Sequence, residues 1–304
     1  MVITPSNFII SIVGPTAIGK TALSIKLAQH YNAEIISADS RQFFKEMTIG
    51  TAVPSSEELS GATHHFIQNK SINDAFNVGD FEREAISKIK KLHKDHTFAV
   101  MVGGSGLYVK AVTNGLDYFP EVDPKIRIEL NKRFETEGLL PLQKQLETLD
   151  IETYNTIAID NPKRVIRALE ICIGTGKTYS SFLTRPEKQR NFKTIQIGLN
   201  AERSIIYDRI NQRVDIMIAN GLLDEAKSLL PFKDLNALNT VGYKELFQYL
   251  EGNITLEFAI SEIKKNTRRF AKRQLTWFRK DESIKWFDYE TDLDTIVSYI
   301  NQQI

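Results

Sequence analysis

Residues 14–21 read Gly-Pro-Thr-Ala-Ile-Gly-Lys-Thr, which is the pattern G-x-x-x-x-G-K-[ST]. An apolar run at 8–13 precedes this stretch, and a helical pattern at 21–31 follows it. A strand, a glycine-rich loop and a helix in this order gather backbone N–H groups and a helix N-terminus around one concavity. We predict that this phosphate loop binds two adjacent phosphates, with the charge of Lys20 and with the Thr21 hydroxyl as a ligand for Mg²⁺.

Further apolar runs indicate what surrounds the phosphate loop. Runs rich in β-branched residues at 34–38, 98–102 and 194–199 are typical of buried parallel strands. Helical patterns separate the first strands, and a long helix is predicted near the end, at 261–279. The sequence therefore predicts an α/β fold, a P-loop NTPase-like core with a parallel sheet.

Residues 117–191 carry helical stretches broken by proline, glycine and Asn-Pro, without a strand pattern. We predict that they form a mainly helical insertion domain, with 1–116 and 192–304 as the core.

Composition limits the class of protein. The chain has 304 residues, a net charge of +1 and a single cysteine, Cys172, so neither an internal disulfide nor a cysteine-based zinc site can form. No apolar run approaches the roughly 18 to 20 residues that span a membrane. We expect a cytoplasmic protein without a membrane segment.

Polar residues follow two of the predicted strands. The second strand ends at Asp39, before Ser40-Arg41-Gln42, and the third ends in Gly-Gly-Ser-Gly-Leu-Tyr at 103–108. Ligands bind outside the carboxyl ends of parallel strands, so both segments should lie near the phosphate loop. Asp39 could cap a turn, hold Mg²⁺ through water, or act as a general base. The third strand lacks the terminal acid that ATPases and kinases usually offer to a metal. This absence weakens the hypothesis that the phosphate loop binds ATP or GTP.

The adjacent histidines His64 and His65 are a less informative feature. Neighbouring side chains on a strand point to opposite faces, so we expect packing or hydrogen bonding rather than a shared metal.

Positive charge is concentrated near the end of the chain. Residues 264–280 contain eight basic side chains and no acidic one, and because the net charge is +1 the rest carries −7. The spacing of Phe270, Gln274, Trp277 and Phe278 predicts a helix face docked on the core. The absence of interleaved acids favours polyanion binding over a merely solvated face.

Smaller basic clusters have the same sign. One is Lys163-Arg164 with Arg167, and Arg209 and Arg213 lie four apart on a predicted helix, so one face could present both to a phosphate.

Taken in order, these motifs resemble the tRNA dimethylallyltransferase family, also called tRNA isopentenyltransferases, over nearly the whole chain. The matching segments are 14–21, 39–42, 64–66, 103–108, 161–170, 241–245 and 267–279. The chain departs from the family pattern at Ser105, where Thr is usual, at Phe44, where Tyr is usual, and at Gln68, where Asp is common.

The resemblance implies a reaction: dimethylallyl diphosphate donates its five-carbon group to N6 of the adenosine 3′-adjacent to the anticodon, in tRNAs reading codons that begin with U. It implies catalytic roles for Asp39, Thr16 and Lys20, with Asp39 as the base, Mg²⁺ on Thr21, and a monomer whose insertion domain clamps the anticodon stem-loop.

The resemblance also implies two sets of binding residues. The diphosphate ligands are Gly14, Pro15, Thr16, Ala17, Ile18, Gly19, Lys20, Thr21 and Arg213. The tRNA contacts are Asp39, Ser40, Arg41, Gln42, Ser105, Arg127, Lys163, Arg164, Val165, Ile166, Arg167, Asn239, Thr240, Val241, Gly242, Tyr243 and Lys244.

Three alternatives stay open at this point. They are a P-loop kinase of a small metabolite or nucleotide, an adenylate prenyltransferase that uses free AMP, and a non-catalytic RNA-binding protein that retains a phosphate loop. The helical insertion and the basic helix favour tRNA over a free nucleotide, which needs no long cationic surface.

Overall fold

A computed structural model describes residues 7–183 and 189–304. The predicted domain ranges also include 1–6 and 184–188, which lie outside the described residues. The described residues form two compact units, one of 7–114 with 189–304 and the other of 115–183.

Six strands form one parallel sheet within the described residues. They are β1 (Phe8–Val13), β2 (Ile35–Ser37), β3 (His64–His65), β4 (Phe98–Val102), β5 (Lys193–Asn200) and β6 (Lys285–Asp288). The strand order is β3-β2-β4-β1-β5-β6, and every neighbouring pair is parallel. The predicted α/β class is confirmed, and four of these strands are those that the apolar runs indicated.

The two strands that the sequence did not reveal lie at the edges of the sheet. β3 has two residues and β6 has four, and no residue of either strand is fully buried. An edge strand packs on the core less completely than a central one, so it needs no continuous apolar run.

Thirteen α-helices accompany the sheet in the part of the chain that the structure describes. They are α1 (Lys20–His30), α2 (Ser56–Gly61), α3 (Val78–Leu92), α4 (Gly106–Thr113), α5 (Pro124–Glu137), α6 (Leu140–Leu149), α7 (Ile151–Thr156), α8 (Pro162–Thr175), α9 (Arg203–Ala219), α10 (Leu222–Leu229), α11 (Tyr243–Leu250), α12 (Leu256–Phe278) and α13 (Leu293–Asn301).

The sheet brings three loops together. All six residues of β1 are buried, as are the three of β2 and the centre of β4. The carboxyl ends of parallel strands meet at one edge, which gathers the phosphate loop, residues 39–42 and residues 103–106. That edge is where a ligand site is expected.

The long helix α12 corrects one sequence-based prediction. Its buried stripe includes Ala271, Gln274 and Phe278, whereas Phe270 and Trp277 are 39% and 42% exposed. At 100° per residue, a stripe centred on 271, 274 and 278 turns positions 270 and 277 toward its border. Phe270 and Trp277 are therefore not part of the face that docks on the core.

The unit of residues 115–183 contains helices α5 to α8 and no strand among its described residues. Proline begins α5 and α8, and the N-caps Asp123 and Asn161 each accept a hydrogen bond from a first-turn backbone N–H. The unit has its own core, which includes Leu130, Leu142 and Leu169.

Over the described residues, no helix combines the length and apolarity that crossing a lipid bilayer requires.

Candidate active site

The phosphate loop turns sharply between β1 and α1. Gly14 and Gly19 have φ angles of 144° and 106°, and Ala17 is also left-handed at 63°. A Cβ on Gly14 would lie 2.5 Å from the backbone oxygen of Leu199, so only glycine fits there. Helix α1 begins at Lys20 directly after Gly19, which directs its free N–H groups toward the loop.

Lys20 is half-buried within this loop. Its Nζ donates a hydrogen bond to the carbonyl of Pro15 at 2.6 Å. Burial and the nearby charge of Arg213 lower the pKa of Lys20 to about 7, although the carboxylate of Asp39 acts in the opposite direction. Two positive charges this close together are unfavourable in the site unless an anion is bound.

Two arginines of α9 reach the phosphate loop, as their spacing of four residues suggested. Arg213 Nη1 donates to the Thr16 hydroxyl at 3.3 Å, and Arg209 Nε donates to the Ala17 carbonyl at 2.7 Å. Burial lowers the pKa of Arg213, while the charge of Asp39 opposes that shift. One helix face thus adds two guanidinium groups to the rim of the loop.

Asp39 follows β2, and its neighbour fixes its orientation. The backbone N–H of Arg41 donates to Asp39 Oδ1 at 3.0 Å. Among the described residues, no hydrogen bond engages the other carboxylate oxygen, Oδ2. The Arg41 guanidinium donates instead to the carbonyls of Asn236 and Ala237, both at 2.9 Å, and so ties this segment to residues 236–238.

Gln42 and Ser40 also bind protein groups. Gln42 Nε2 donates to the carbonyls of Thr51 and Ala52, at 3.2 and 2.8 Å. The Ser105 hydroxyl accepts from Ser40 N and donates to Ser40 Oγ, both at 3.1 Å, and so joins the ends of β2 and β4. Asp39 therefore keeps one carboxylate oxygen, Oδ2, free of hydrogen bonds to the described residues.

The glycines after β4 are explained by close neighbours. A Cβ at Gly103 would lie 2.4 Å from the carbonyl oxygen of Ala38, and one at Gly104 would lie 2.1 Å from Gln274 Nε2. A Cβ at Gly106 would lie 2.2 Å from the indole of Trp277. Glycine is required because β2 and α12 press on this segment from two sides.

Two cavities open at this edge of the sheet. The first, which we call the phosphate cavity, has a volume of about 480 Å³ and is lined by Lys20, Thr21 and Arg209 among others. The second, which we call the aromatic cavity, has about 610 Å³ and is lined by Tyr108, Phe270 and Trp277 among others.

The two cavities adjoin each other. Their walls share five residues: Thr16, Asp39, Thr51, Gly104 and Arg213. A ligand held at the phosphate loop can therefore extend past Asp39 into the aromatic cavity.

A half-buried carboxylate fixes loop 48–52, which lines part of both cavities. Glu225 accepts hydrogen bonds from the backbone N–H groups of residues 48–50 at 2.8–3.0 Å, and from the Tyr243 hydroxyl at 2.6 Å. Tyr243 is fully buried, which together with Glu225 raises its pKa far above the usual range. Tyr243 therefore supports the loop and offers no side chain to RNA, contrary to its predicted contact.

The remaining residues of the predicted segment 239–244 line the aromatic cavity. They are Asn239, Thr240, Val241, Gly242 and Lys244. The Lys244 side chain is exposed, and Gly242 has a φ of 100°, a left-handed conformation that favours glycine.

The eight basic residues at 264–280 divide into two groups. Three bind neighbouring side chains: Lys264 and Lys265 form ion pairs with Asp215 and Glu262, and Arg268 donates to Asn211 Oδ1. The second group is exposed and has no ion pair with a described residue: Arg269, Lys272, Arg273, Arg279 and Lys280. The charge available to a polyanion is thus concentrated toward the C-terminal half of the helix.

In the 115–183 unit, the predicted contacts differ in exposure. Lys163 and Arg164 are exposed, whereas Val165 and Ile166 lie in the core of the unit. The side chains of Val165 and Ile166 therefore cannot contact RNA, which corrects that part of the prediction.

Two more predicted contacts in this unit converge on one acid. The guanidinium groups of Arg127 and Arg167 both donate to Glu170 Oε2, at 3.3 and 2.8 Å. Glu170 therefore holds the two half-exposed guanidinium groups side by side.

The site suits a metal that is coordinated mainly by substrate. Thr21, Asp39 and Glu58 line the phosphate cavity, so a hydroxyl and two carboxylates surround the place where phosphates would lie. Among the described residues, no cluster of three or more His, Cys, Asp or Glu could hold a metal ion. Mg²⁺ at a phosphate site usually takes one or two protein ligands, with phosphate oxygens and water as the others, which fits this donor set.

The paired histidines diverge as predicted. His64 Nδ1 lies 2.8 Å from the carbonyl oxygen of Ala62, and His65 Nε2 hydrogen bonds with Glu34. Burial lowers the pKa of His64, which keeps the ring neutral.

The sequence does not predict that Glu58 and Glu225 shape the site. It also does not predict the hydrogen bonds that Gln274 makes there. Glu58 and Glu225 lie in exposed-looking helical stretches and carry no motif. Gln274 did leave a signal, because it is a polar residue in an otherwise apolar stripe.

Comparison with known proteins places this geometry in context. The sequence model of the family described as IPP transferase matches residues 42–281. The chain is 64% identical over 299 residues to a tRNA dimethylallyltransferase of Christiangramia forsetii, covering 98% of this chain and 99% of that protein. It is 59% identical over 304 residues to a tRNA dimethylallyltransferase of Flavobacterium johnsoniae, covering 98% of each.

Solved structures resemble the chain too. A full-length tRNA isopentenylpyrophosphate transferase from Bacillus halodurans is 41% identical, with a TM-score of 0.71 over 97% of this chain and 95% of that one. A eukaryotic dimethylallyltransferase acting on tRNA is 27% identical, with a TM-score of 0.79 over 98% of this chain and 77% of that one.

Proposed function

This chain belongs to the IPP transferase family, and we propose that it moves the dimethylallyl group of dimethylallyl diphosphate onto a tRNA adenosine. The enzyme is a tRNA dimethylallyltransferase. Its acceptor is N6 of the adenosine 3′-adjacent to the anticodon, in tRNAs that read codons beginning with U. The observation that carries the proposal is the position of Asp39, which lines both the phosphate cavity and the aromatic cavity.

The phosphate cavity binds the diphosphate. Backbone N–H groups of residues 17–21, which include the N-terminus of α1, surround the phosphates, and Lys20 and Arg213 supply full charges. As the C–O bond breaks, negative charge grows on the departing diphosphate. Lys20, Arg213 and the Thr16 hydroxyl stabilise that charge.

Thr21 would hold Mg²⁺ through its hydroxyl, and the Glu58 carboxylate lines the same cavity. Bound there, the ion would neutralise part of the charge on the leaving diphosphate.

Asp39 is the general base. The allylic carbon gains cationic character as the diphosphate departs, and the N6 lone pair forms the new C–N bond. The amine then loses one proton, which the Asp39 carboxylate accepts through the oxygen that carries no protein hydrogen bond. An exocyclic adenine amine is a weak nucleophile, so holding it in line with that carbon supplies much of the rate.

The aromatic cavity accepts the adenine. The base must leave the anticodon stack, which costs a few kcal/mol, and aromatic surfaces recover part of that cost by stacking. Phe270, Trp277 and Tyr108 offer such surfaces, and Arg273 lies beside them. The walls shared with the phosphate cavity support an approach of N6 to the allylic carbon beside Asp39.

The remaining tRNA contacts are electrostatic. We propose that Lys272 and Arg273 of α12, and Arg279 directly after it, bind RNA phosphates. We also propose that Lys163, Arg164 and the paired Arg127 and Arg167 do so in the helical unit, which clamps the anticodon stem-loop. We also propose that the enzyme works as a monomer in the cytoplasm.

A product assay tests this function against its alternatives. Purified protein is mixed with Mg²⁺, dimethylallyl diphosphate and unmodified tRNA, and the nucleosides are analysed by mass spectrometry. We expect one dimethylallyl group on one adenosine per tRNA and an equal amount of released diphosphate. Modification of free AMP instead of tRNA indicates an adenylate prenyltransferase, and phosphate transfer from ATP indicates a kinase.

A further inference from the structure

Gln274 is the polar exception on the buried face of α12. The other buried residues of this helix, which is described over its whole length, are Ala259, Ile263, Ala271 and Phe278. Gln274 itself is only 6% exposed. A primary amide in such surroundings is costly unless its oxygen and nitrogen are both hydrogen bonded.

The Gln274 amide satisfies both groups with backbone atoms of two different loops. Its Oε1 accepts a hydrogen bond from Thr16 N at 2.9 Å, and its Nε2 donates to the carbonyl of Gly104 at 3.0 Å. A backbone N–H can only donate and a carbonyl can only accept, so the orientation of the amide is fixed. One side chain therefore joins the phosphate loop to the glycine segment that follows β4.

We infer that Gln274 is a positioning residue that holds the phosphate loop in its diphosphate-binding conformation. The inference rests on the proposed function and extends it to a residue with no direct role in the chemistry. Thr16 and Gly104 both line the phosphate cavity and the aromatic cavity. Displacement of either residue changes the point where donor and acceptor meet.

The geometry explains why α12 is needed by the phosphate loop. Thr16 lies between two left-handed residues, Gly14 and Ala17, and no regular element fixes its backbone. Gln274 binds that backbone from one side, while Arg213 holds the Thr16 hydroxyl from α9. Loss of the amide leaves the loop free to adopt other conformations, and diphosphate binding must then reorder it.

Two substitutions separate hydrogen bonding from packing. Gln274→Met keeps the length and volume of the side chain but can make neither hydrogen bond. Gln274→Glu keeps an acceptor for Thr16 N, and its carboxyl group can donate to Gly104 only when it is protonated. Burial raises the pKa of a carboxyl group and the charges of Arg213 and Arg273, which line the same cavity, lower it, so a falling pH moves the variant toward the protonated form that can donate to Gly104.

The control is Phe278→Leu. Phe278 is buried one turn further along the same helix and packs in the core cluster under the sheet. It belongs to neither cavity wall, so this variant reports the effect of destabilising α12 alone.

The measurement is the calorimetric affinity of each full-length variant for inorganic diphosphate with Mg²⁺, with tRNA affinity measured alongside. We expect Gln274→Met to weaken diphosphate binding about tenfold, as the loss of two hydrogen bonds predicts, with tRNA affinity within about twofold of wild type. Phe278→Leu should lower the melting temperature and leave diphosphate affinity unchanged.

The pH dependence supplies the sharpest comparison. From about pH 8 to about pH 5.5, Gln274→Glu should recover diphosphate affinity relative to wild type and rise above Gln274→Met. If the diphosphate affinity of Gln274→Glu rises only to that of Gln274→Met, the loss of a negative charge explains the rise. That result would overturn the inference. Unchanged affinity in Gln274→Met would overturn it too. If wild-type protein binds diphosphate but does not prenylate tRNA, the proposed function fails instead.

Discussion

Arg213 donates a hydrogen bond to the Thr16 hydroxyl across 3.3 Å, although the two residues are 197 positions apart in the sequence. Thr16 belongs to the phosphate loop, and Arg213 lies on α9, after the helical unit has intervened in the chain. The contact joins the two parts of the core around the place where a diphosphate would bind. We propose that the two residues act as one anion site, in which Arg213 supplies charge and Thr16 a hydroxyl donor.

Removal of Arg213 should impair the use of dimethylallyl diphosphate. We expect Arg213→Ala to lower kcat/KM for this substrate by about 10²- to 10³-fold, the usual effect of losing one charged donor at a developing anion. The matched control is Arg203→Ala on the same helix, since Arg203 is exposed and stacks on Tyr207. Steady-state kinetics with saturating tRNA measures both, and equal losses in the two variants would contradict the role of Arg213.

Diphosphate binding should take up a proton at mildly alkaline pH. Because the pKa of Lys20 is about 7, this side chain is mostly neutral at about pH 8 in the free protein, and a bound anion favours its charged form. Affinity should therefore fall as pH rises above about 7, and proton uptake should vanish at about pH 6, where Lys20 is already charged.

Calorimetry in buffers of different ionisation enthalpy measures this uptake. Lys20→Arg is the control, because a guanidinium stays charged throughout the range and adds no uptake. Identical uptake in wild type and Lys20→Arg would assign the proton to the diphosphate itself and contradict the prediction.

Asp39→Asn should separate binding from turnover. An amide oxygen can still accept the hydrogen bond from Arg41 N, so the local backbone should persist. The amide cannot accept the proton from N6, and we expect single-turnover rates to fall by about 10²- to 10⁴-fold. Affinities for tRNA and diphosphate should stay within about threefold; a large loss of tRNA affinity with normal turnover would remove Asp39 from the role of base.

The exposed cations of α12 should determine the salt dependence of tRNA binding. Each phosphate contact releases counterions, so Arg273→Gln should reduce the slope of log affinity against log salt by about 1. Lys90→Gln is the control, because Lys90 is exposed on the last turn of α3, at the opposite edge of the sheet from the phosphate loop. Filter binding over a range of salt measures both slopes, and equal slopes for Arg273→Gln and wild type would argue against this surface.

Much of the core was predictable because its signals are local. The apolar runs predict the bounds of β1 and β4 to the residue, and the rule that ligands bind at strand carboxyl ends predicts that Asp39 lies near the phosphate loop. The spacing of Arg209 and Arg213 on one helix face was equally informative, because a helix fixes the relation between positions four apart.

The rest depended on contacts between distant parts of the chain. Nothing near Glu225 in the sequence indicates that its carboxylate binds three backbone N–H groups of residues 48–50. The apolar pattern predicts the wrong face for the exposed positions Phe270 and Trp277, because such a pattern cannot distinguish a core from a cavity wall. Tyr243 shows the converse, since this motif residue is buried and supports loop 48–52 through Glu225.

A structure of the enzyme with Mg²⁺ and a dimethylallyl diphosphate analogue, in which sulfur replaces the bridging oxygen, tests the shared-cavity arrangement most directly. We expect the two phosphates within hydrogen-bond distance of Lys20, Thr16 and Arg213, and the five-carbon chain extending past Asp39 toward Trp277. A hydrocarbon chain that points instead toward Glu58 and His64, away from Asp39, would contradict the placement of donor and base on which the mechanism depends.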